Sequence, residues 1–176
     1  MRFDPDKHHR RSIRLKEHDY AQPGAYFVTV CTRDRECLFG HVVNGEMRLN
    51  EYGQIVADTW KWLAVQYPYV ELDVSVVMPN HLHGIVVIRD DVRRGVSRNA
   101  PTRARKPLGR LIGVFKTVST KRINILHSTQ GMPLWQRDFY EHVVRNEAEL
   151  MAIREYVLAN PARWNEDENN PDFAKG

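Results

Sequence analysis

Val77-Met78-Pro79-Asn80-His81-Leu82-His83-Gly84-Ile85-Val86-Val87-Ile88 is the stretch on which the fold turns. From His81 onward it is short, apolar and rich in β-branched residues, so it reads as a strand covered on both faces. Side chains alternate along a strand, so His81 and His83 point to the same side, roughly 7 Å apart along it. Two imidazoles on a rigid strand are well suited to gripping a divalent metal. Gly84 leaves room for another backbone or a ligand to approach. A bare His-x-His pair is more often two surface or satisfied core histidines, so the surrounding chain has to decide its meaning.

Immediately upstream, Val70 to Val76 alternates apolar and polar residues, as a half-buried strand does. Met78-Pro79-Asn80 is a turn, which sets the histidines at the start of the second strand of a hairpin, near its turn. Further back, Asn50 is a helix N-cap, and Tyr52, Ile55, Val56, Thr59, Trp60 and Leu63 recur at three- and four-residue steps up to about Gln66, with Pro68 as the stop. Asn44-Gly45 joins two short apolar pieces in a hairpin, and Gly24 opens a strand from Ala25 to Cys31.

Downstream, Asp91 to Pro107 has no periodicity. Leu108 to about Leu126 is helical, with Leu111, Ile112, Phe115, Val118 and Ile123 on one face. Gly131-Met132-Pro133 breaks the chain, and Leu134 to Val144 is expected as a strand. Asn146 caps a last helix that runs to Pro161, with Glu149 in the first turn, where the helix dipole favours it. The order β, hairpin, α, β, β, α, β, α gives an α+β fold with a ferredoxin-like antiparallel sheet and helices packed on it. We expect a basic arm over 1–22, one domain over 23–164 and a polar, acidic, frayed tail over 165–176.

The 176 residues suffice for one domain with a core. No apolar run reaches the roughly 20 residues of a membrane span, and Met1-Arg2-Phe3-Asp4-Pro5 lacks the apolar core of a signal peptide. A cytoplasmic protein with no membrane partner is the expectation, with Cys31 and Cys37 as reduced thiols. Net charge is +4, but eight basic residues from Arg89 to Arg110 face only Asp90 and Asp91, and Lys116, Lys121 and Arg122 follow. Such asymmetry points to a polyanionic partner or to a solvated loop.

Tyr156 and Asn160 are four residues apart and share a helical face. Asn160 offers a carbonyl oxygen, an acceptable third ligand beside two imidazoles for magnesium or manganese. Tyr156 offers a phenol that can act as a nucleophile near a metal or base. By spacing alone, such a pair is far more often a core residue and a helix C-cap.

Four stretches, taken in order, go further: Met78 to His83, Gly113 to Asn124, Leu134 to Arg145 and Ile153 to Pro161. Together they resemble the single-tyrosine HUH transposases, most closely the REP-associated tyrosine transposases of bacteria, over about residues 24 to 164. The resemblance implies that His81, His83 and Asn160 hold a divalent metal, Mg or Mn. It implies that Tyr156 attacks a phosphodiester of single-stranded DNA, leaving a 5′-phosphotyrosine link and a free 3′-hydroxyl. It also implies an imperfect DNA hairpin as partner, which the Arg-rich loop with Arg105, Lys106 and Arg110 could grip, while Lys116, Lys121 and Arg122 are candidates for phosphate contact. A nucleoid location would follow.

Tyr140, in Trp135-Gln136-Arg137-Asp138-Phe139-Tyr140, is a rival nucleophile that we read instead as core and DNA surface; His127 and His142 read as structural or exposed. No general base stands out. The alternatives are a domesticated hairpin-binding module with little or no cleavage, and a metal-dependent hydrolase unrelated to DNA. Monomer and homodimer both remain open.

Overall fold

Strand β1 (Gly24–Cys31) organises the sheet. It pairs antiparallel with β5 (His81–Ile88) on one side and β6 (Tyr140–Val144) on the other. Strand β4 (Val70–Met78) pairs antiparallel with β5, which gives four strands in the order β4-β5-β1-β6. Two short strands, β2 (Gly40–Val43) and β3 (Glu46–Leu49), make a separate hairpin, with Asn44 and Gly45 both at positive φ as its two-residue turn requires. The computed structural model describes residues 20–90 and 105–173. Expectations for most of the basic arm and the Arg-rich loop fall on residues 1–19 and 91–104, outside the described residues.

Alternation along the strands sorts the core into two layers. Tyr26, Val28 and Val30 of β1 and Leu82, Val86 and Ile88 of β5 face one way. Helices α1 (Glu51–Gln66) and α2 (Leu108–His127) cover that face with Val56, Trp60, Leu63, Leu111, Ile112, Phe115 and Ile123. Phe27 and Ile85 face the other way, where α3 (Glu147–Ala159) lays Ile153 and Val157 on them. Asn50 caps α1 as expected, its Oδ1 accepting from the Gly53 amide at 3.0 Å. The ferredoxin-like antiparallel sheet expected from the sequence is therefore present, with α3 added on its second face.

At Gly84 the sheet and α1 nearly touch. A Cβ there would lie 2.6 Å from a ring carbon of Trp60, so the close approach is to an indole rather than to a ligand or backbone.

Two expectations are corrected. Leu134 to Val144 is not one strand: only Tyr140–Val144 is, and Leu134 to Phe139 is irregular apart from a single bridge between Thr32 and Trp135. Leu134 and Trp135 are both buried in the core under α1 and α2, whereas alternation along a strand would send them to opposite faces. Trp135 instead donates its indole N–H to the Ser119 hydroxyl at 2.9 Å. Nor do the described residues of the tail, 165–173, fray. After a 3₁₀ turn over Pro161–Glu166, Asp167 and Asn169 are buried at 8% and 5% exposure, because hydrogen bonds from the sheet and its loops capture them.

Gly84→Ala is expected to lower unfolding stability by about 1–3 kcal/mol through overpacking against Trp60. Gly113→Ala, where an added Cβ meets nothing within 4 Å, is expected to be neutral or to stabilise α2 by up to about 1 kcal/mol. Urea denaturation midpoints of the two variants check both.

Candidate functional site

Register places the imidazoles. His81 lies between Cys31 of β1 and Met78 of β4, and His83 between Thr29 and Val76. Both rings are fully buried on the α3 face of the sheet. The cross-strand neighbour of His83 also holds it, with Thr29 Oγ1 2.8 Å from His83 Nδ1.

His81 is held by the residue before it. Asn80 Oδ1 is 2.9 Å from His81 Nδ1. The Asn80 amide nitrogen donates to the carbonyls of Arg35 at 2.9 Å and Asn169 at 2.7 Å, so its oxygen is the atom turned to the ring. That network assigns the His81 proton to Nδ1 and leaves the Nε2 lone pair facing inward. His81 Nε2 is 3.0 Å from His83 Nε2.

Tyr156 arrives from the other layer. Helix α3 starts with Asn146 Oδ1 accepting from the Glu149 amide at 2.9 Å, and Arg154 ties it to β4 by an ion pair with Asp73 at 2.7 Å. Tyr156 Oη is 3.4 Å from His83 Nε2, and the two rings meet edge-on with centroids 5.2 Å apart. Phe27 packs edge-to-face on the same phenol at 6.0 Å. One turn on, Asn160 ends the helix, 3% exposed, and its Oδ1 has no hydrogen-bond partner among the described residues. A cavity of about 160 Å³ opens at this point, lined by Tyr156, Asn160, Arg163, Asp167 and Phe173 among others.

The sequence reading missed Asp167. Its Oδ2 is 3.6 Å from His81 Nε2 and lacks a hydrogen-bond partner among the described residues. His81, His83 and Asp167 offer three ligand atoms within 4.8 Å of one another, a group able to bind a metal ion. The donors fit a cation: two ring nitrogens, a carboxylate oxygen and a nearby amide oxygen, all buried. A proton on His81 Nε2 would satisfy one of the groups around it, not the set. No local spacing could have flagged Asp167; it lies 86 residues after His81 in a polar tail.

The rival Tyr140 packs on the same face, edge-on to Phe27 at 6.1 Å. Burial, with the Glu149 carboxylate adding, pushes its hydroxyl up to about 12. His142 pairs with Glu149 at 2.8 Å, and His127 lies edge-on to Tyr52. Burial raises the Cys31 thiol to about 11, and it stays protonated.

The basic candidates belong to the α2 layer and its approach, not to the histidine cluster. Lys116 donates to the carbonyls of Gln136, Arg137 and Asp138 at 2.9, 3.2 and 2.9 Å, and burial draws its amine down to about 8. Arg122 donates to Thr59 Oγ1 at 3.0 Å and lies over the Trp62 ring. Arg105 pairs with Asp90 at 2.9 Å. Lys106, Arg110 and Lys121 are exposed. Lys116 and Arg122 thus already have structural partners.

The four-stranded order and the added α3 define an α+β protein of the HUH transposase fold. The chain belongs to one family with an uncharacterized protein of Haemophilus influenzae, to which it is 36% identical over 175 residues, 95% of this chain and 96% of that protein. It is also similar, at 22% identity over 147 residues, to a protein of the same organism named "Putative REP-associated tyrosine transposase", with 82% of this chain and 74% of that one covered. Among solved structures, the fold matches a REP-associated tyrosine transposase bound to a REP hairpin with a TM-score of 0.58, at 20% identity, over 81% of this chain and 69% of that one. The resemblance to the REP-associated tyrosine transposases read from the sequence therefore holds. No family model matches the chain. No helix among the described residues is long and apolar enough to cross a membrane.

Thr29→Val should cost about 1–3 kcal/mol, because it leaves a buried His83 ring nitrogen without its partner. Thr29→Ser, which keeps the hydroxyl, is expected to cost less. Thermal melts of the two variants make the comparison.

Proposed function

We propose that this chain nicks single-stranded DNA beside a short hairpin and transfers the strand, through a covalent link to Tyr156. The observation that carries the reading is the 3.4 Å between Tyr156 Oη and His83 Nε2, a phenol seated against paired imidazoles. His81, His83 and Asn160 would hold a divalent ion, Mg or Mn, which when bound draws charge from a phosphate oxygen.

The rest follows from the chain's own groups. Tyr156 gives up its phenolic proton as its oxygen attacks phosphorus in line; the bond to the 3′ oxygen breaks, and that oxygen takes up a proton and leaves as a 3′-hydroxyl. The 5′ side stays on Tyr156 as a phosphotyrosine, whose bond energy lets a later 3′-hydroxyl reverse the step without ATP. Phe27 keeps the phenol over the site, while Thr29 and Asn80 keep the imidazoles aimed. A hairpin is the natural partner given the bound REP hairpin of the structural relative. Arg105, Lys106, Arg110, Lys116, Lys121 and Arg122 are the candidate backbone contacts, the exposed Lys106, Arg110 and Lys121 foremost. Tyr156 and both histidines belong to one chain, so a monomer can complete the site, and the nucleoid of the cytoplasm is where its substrate lies.

The test mixes the protein with hairpin-bearing single-stranded oligonucleotides and Mn²⁺ or Mg²⁺, and looks for a covalent protein–DNA band on a denaturing gel. Wild type and Tyr140→Phe are expected to give the band; Tyr156→Phe and metal-chelated wild type are not. An adduct that survives Tyr156→Phe overturns the choice of nucleophile. Hairpin binding with no adduct under either metal would make this a DNA-hairpin-binding module instead.

In the same series, Asn80→Ala is expected to weaken Mn²⁺ binding about 10–100-fold by freeing the His81 ring, as isothermal titration would register.

A further inference from the structure

We propose that Asp167 completes the cation site, so that metal binding and docking of the C-terminal segment are one linked equilibrium. This rests on the metal-dependent reading above but adds a ligand and a regulatory consequence to it.

The segment is built to deliver one oxygen. Asp167 Oδ1 accepts from the Asn169 amide at 2.7 Å and from Asn169 Nδ2 at 3.0 Å, which turns Oδ2 towards His81. Asn169 in turn gives its carbonyl to Asn80, the residue that orients His81. Arg35 donates to the Glu168 carbonyl at 2.9 Å, and Asn170 donates to the Trp164 carbonyl at 3.1 Å. The segment is thus tied to the loop after β1 and to the β4–β5 turn.

Those ties end on a liability. A carboxylate whose side chain is 4% exposed has one oxygen with no hydrogen-bond partner among the described residues. Burying a charge in that state is costly unless a cation or a full set of donors offsets it. Asn160 Oδ1 in the same cavity is in the same position. A divalent ion among His81, His83, Asn160 and Asp167 resolves both deficits, and hard oxygen donors with two imidazoles suit Mn²⁺. Linkage then runs both ways: the ion stabilises the docked segment, and the docked segment tightens the ion.

The full-length protein is titrated with Mn²⁺, the free ion being followed by its paramagnetic resonance signal. Amide hydrogen exchange across residues 165–173 is measured with and without Mn²⁺. Asp167→Asn is expected to weaken Mn²⁺ binding about tenfold or more, and Asp167→Glu to restore part of it. Glu168→Gln, which removes a charge from the same segment, is expected to bind as wild type does. Mn²⁺ is expected to slow exchange at Asn169 and Asn170 in wild type and not in Asp167→Asn. Equal Mn²⁺ affinity for Asp167→Asn and wild type, with His81→Ala losing it, overturns this inference alone. Exchange that does not respond to Mn²⁺ overturns the linkage. Wild-type protein that binds no Mn²⁺ overturns both this inference and the metal in the proposed function.

Discussion

Slide β5 by one residue against β1, and this protein loses its site and its core together. Odd-numbered residues of β5 carry His81, His83 and Ile85 to the α3 face; even-numbered ones carry Leu82, Gly84 and Val86 to the α1 and α2 face. The period of a strand is two, so a slip would press imidazoles onto Trp60 and turn Leu82 towards Tyr156. Gly84 adds a steric pin, since the Trp60 ring fits only where there is no side chain. The polar pair is thus held in register by apolar packing on the opposite side of the same strand.

Around that strand the site is assembled from pieces of unequal firmness. The imidazoles sit on a central strand and are oriented by Thr29 and Asn80. Tyr156 sits on α3, which buries only Ile153 and Val157 and leaves Met151 and Leu158 exposed at 47% and 66%. Its polar tethers to the sheet include the Arg154–Asp73 pair, at the register shift of β4 between Leu72 and Ser75, and the His142–Glu149 pair on β6. Elements with few buried contacts open more easily than a core strand. The rigid half of the site therefore carries the candidate ligands and the more lightly anchored half the phenol.

Much of this was legible in the chain because it is governed by local rules. The apolar run after His81, the Asn50 and Asn146 caps, the Asn44-Gly45 turn and the i, i+4 spacing of Tyr156 and Asn160 are each decided within a few residues. The stretch from Leu134 to Phe139 was misread for the complementary reason. Its apolar and aromatic content suits a strand, yet Trp135 finds Ser119 on α2, and Lys116 takes three of the loop's carbonyls. Charge patterning likewise does not show that Lys116 and Arg122, candidates for phosphate contact by position, hydrogen-bond within the fold.

By itself, the sequence determined the α+β order of elements, the shared side of His81 and His83, and the shared face of Tyr156 and Asn160. Periodicities of 2 and 3.6 residues act over short distances and are written residue by residue. Only the tertiary structure decided that the phenol meets the imidazoles, that Asn80 orients His81, and that a polar tail brings Asp167 to them. The phenol–imidazole contact, the Asp167–His81 pair and the Asn169 carbonyl that fixes the Asn80 amide join residues 73 to 89 positions apart, and what settles them is where buried polar groups find partners once the layers have packed.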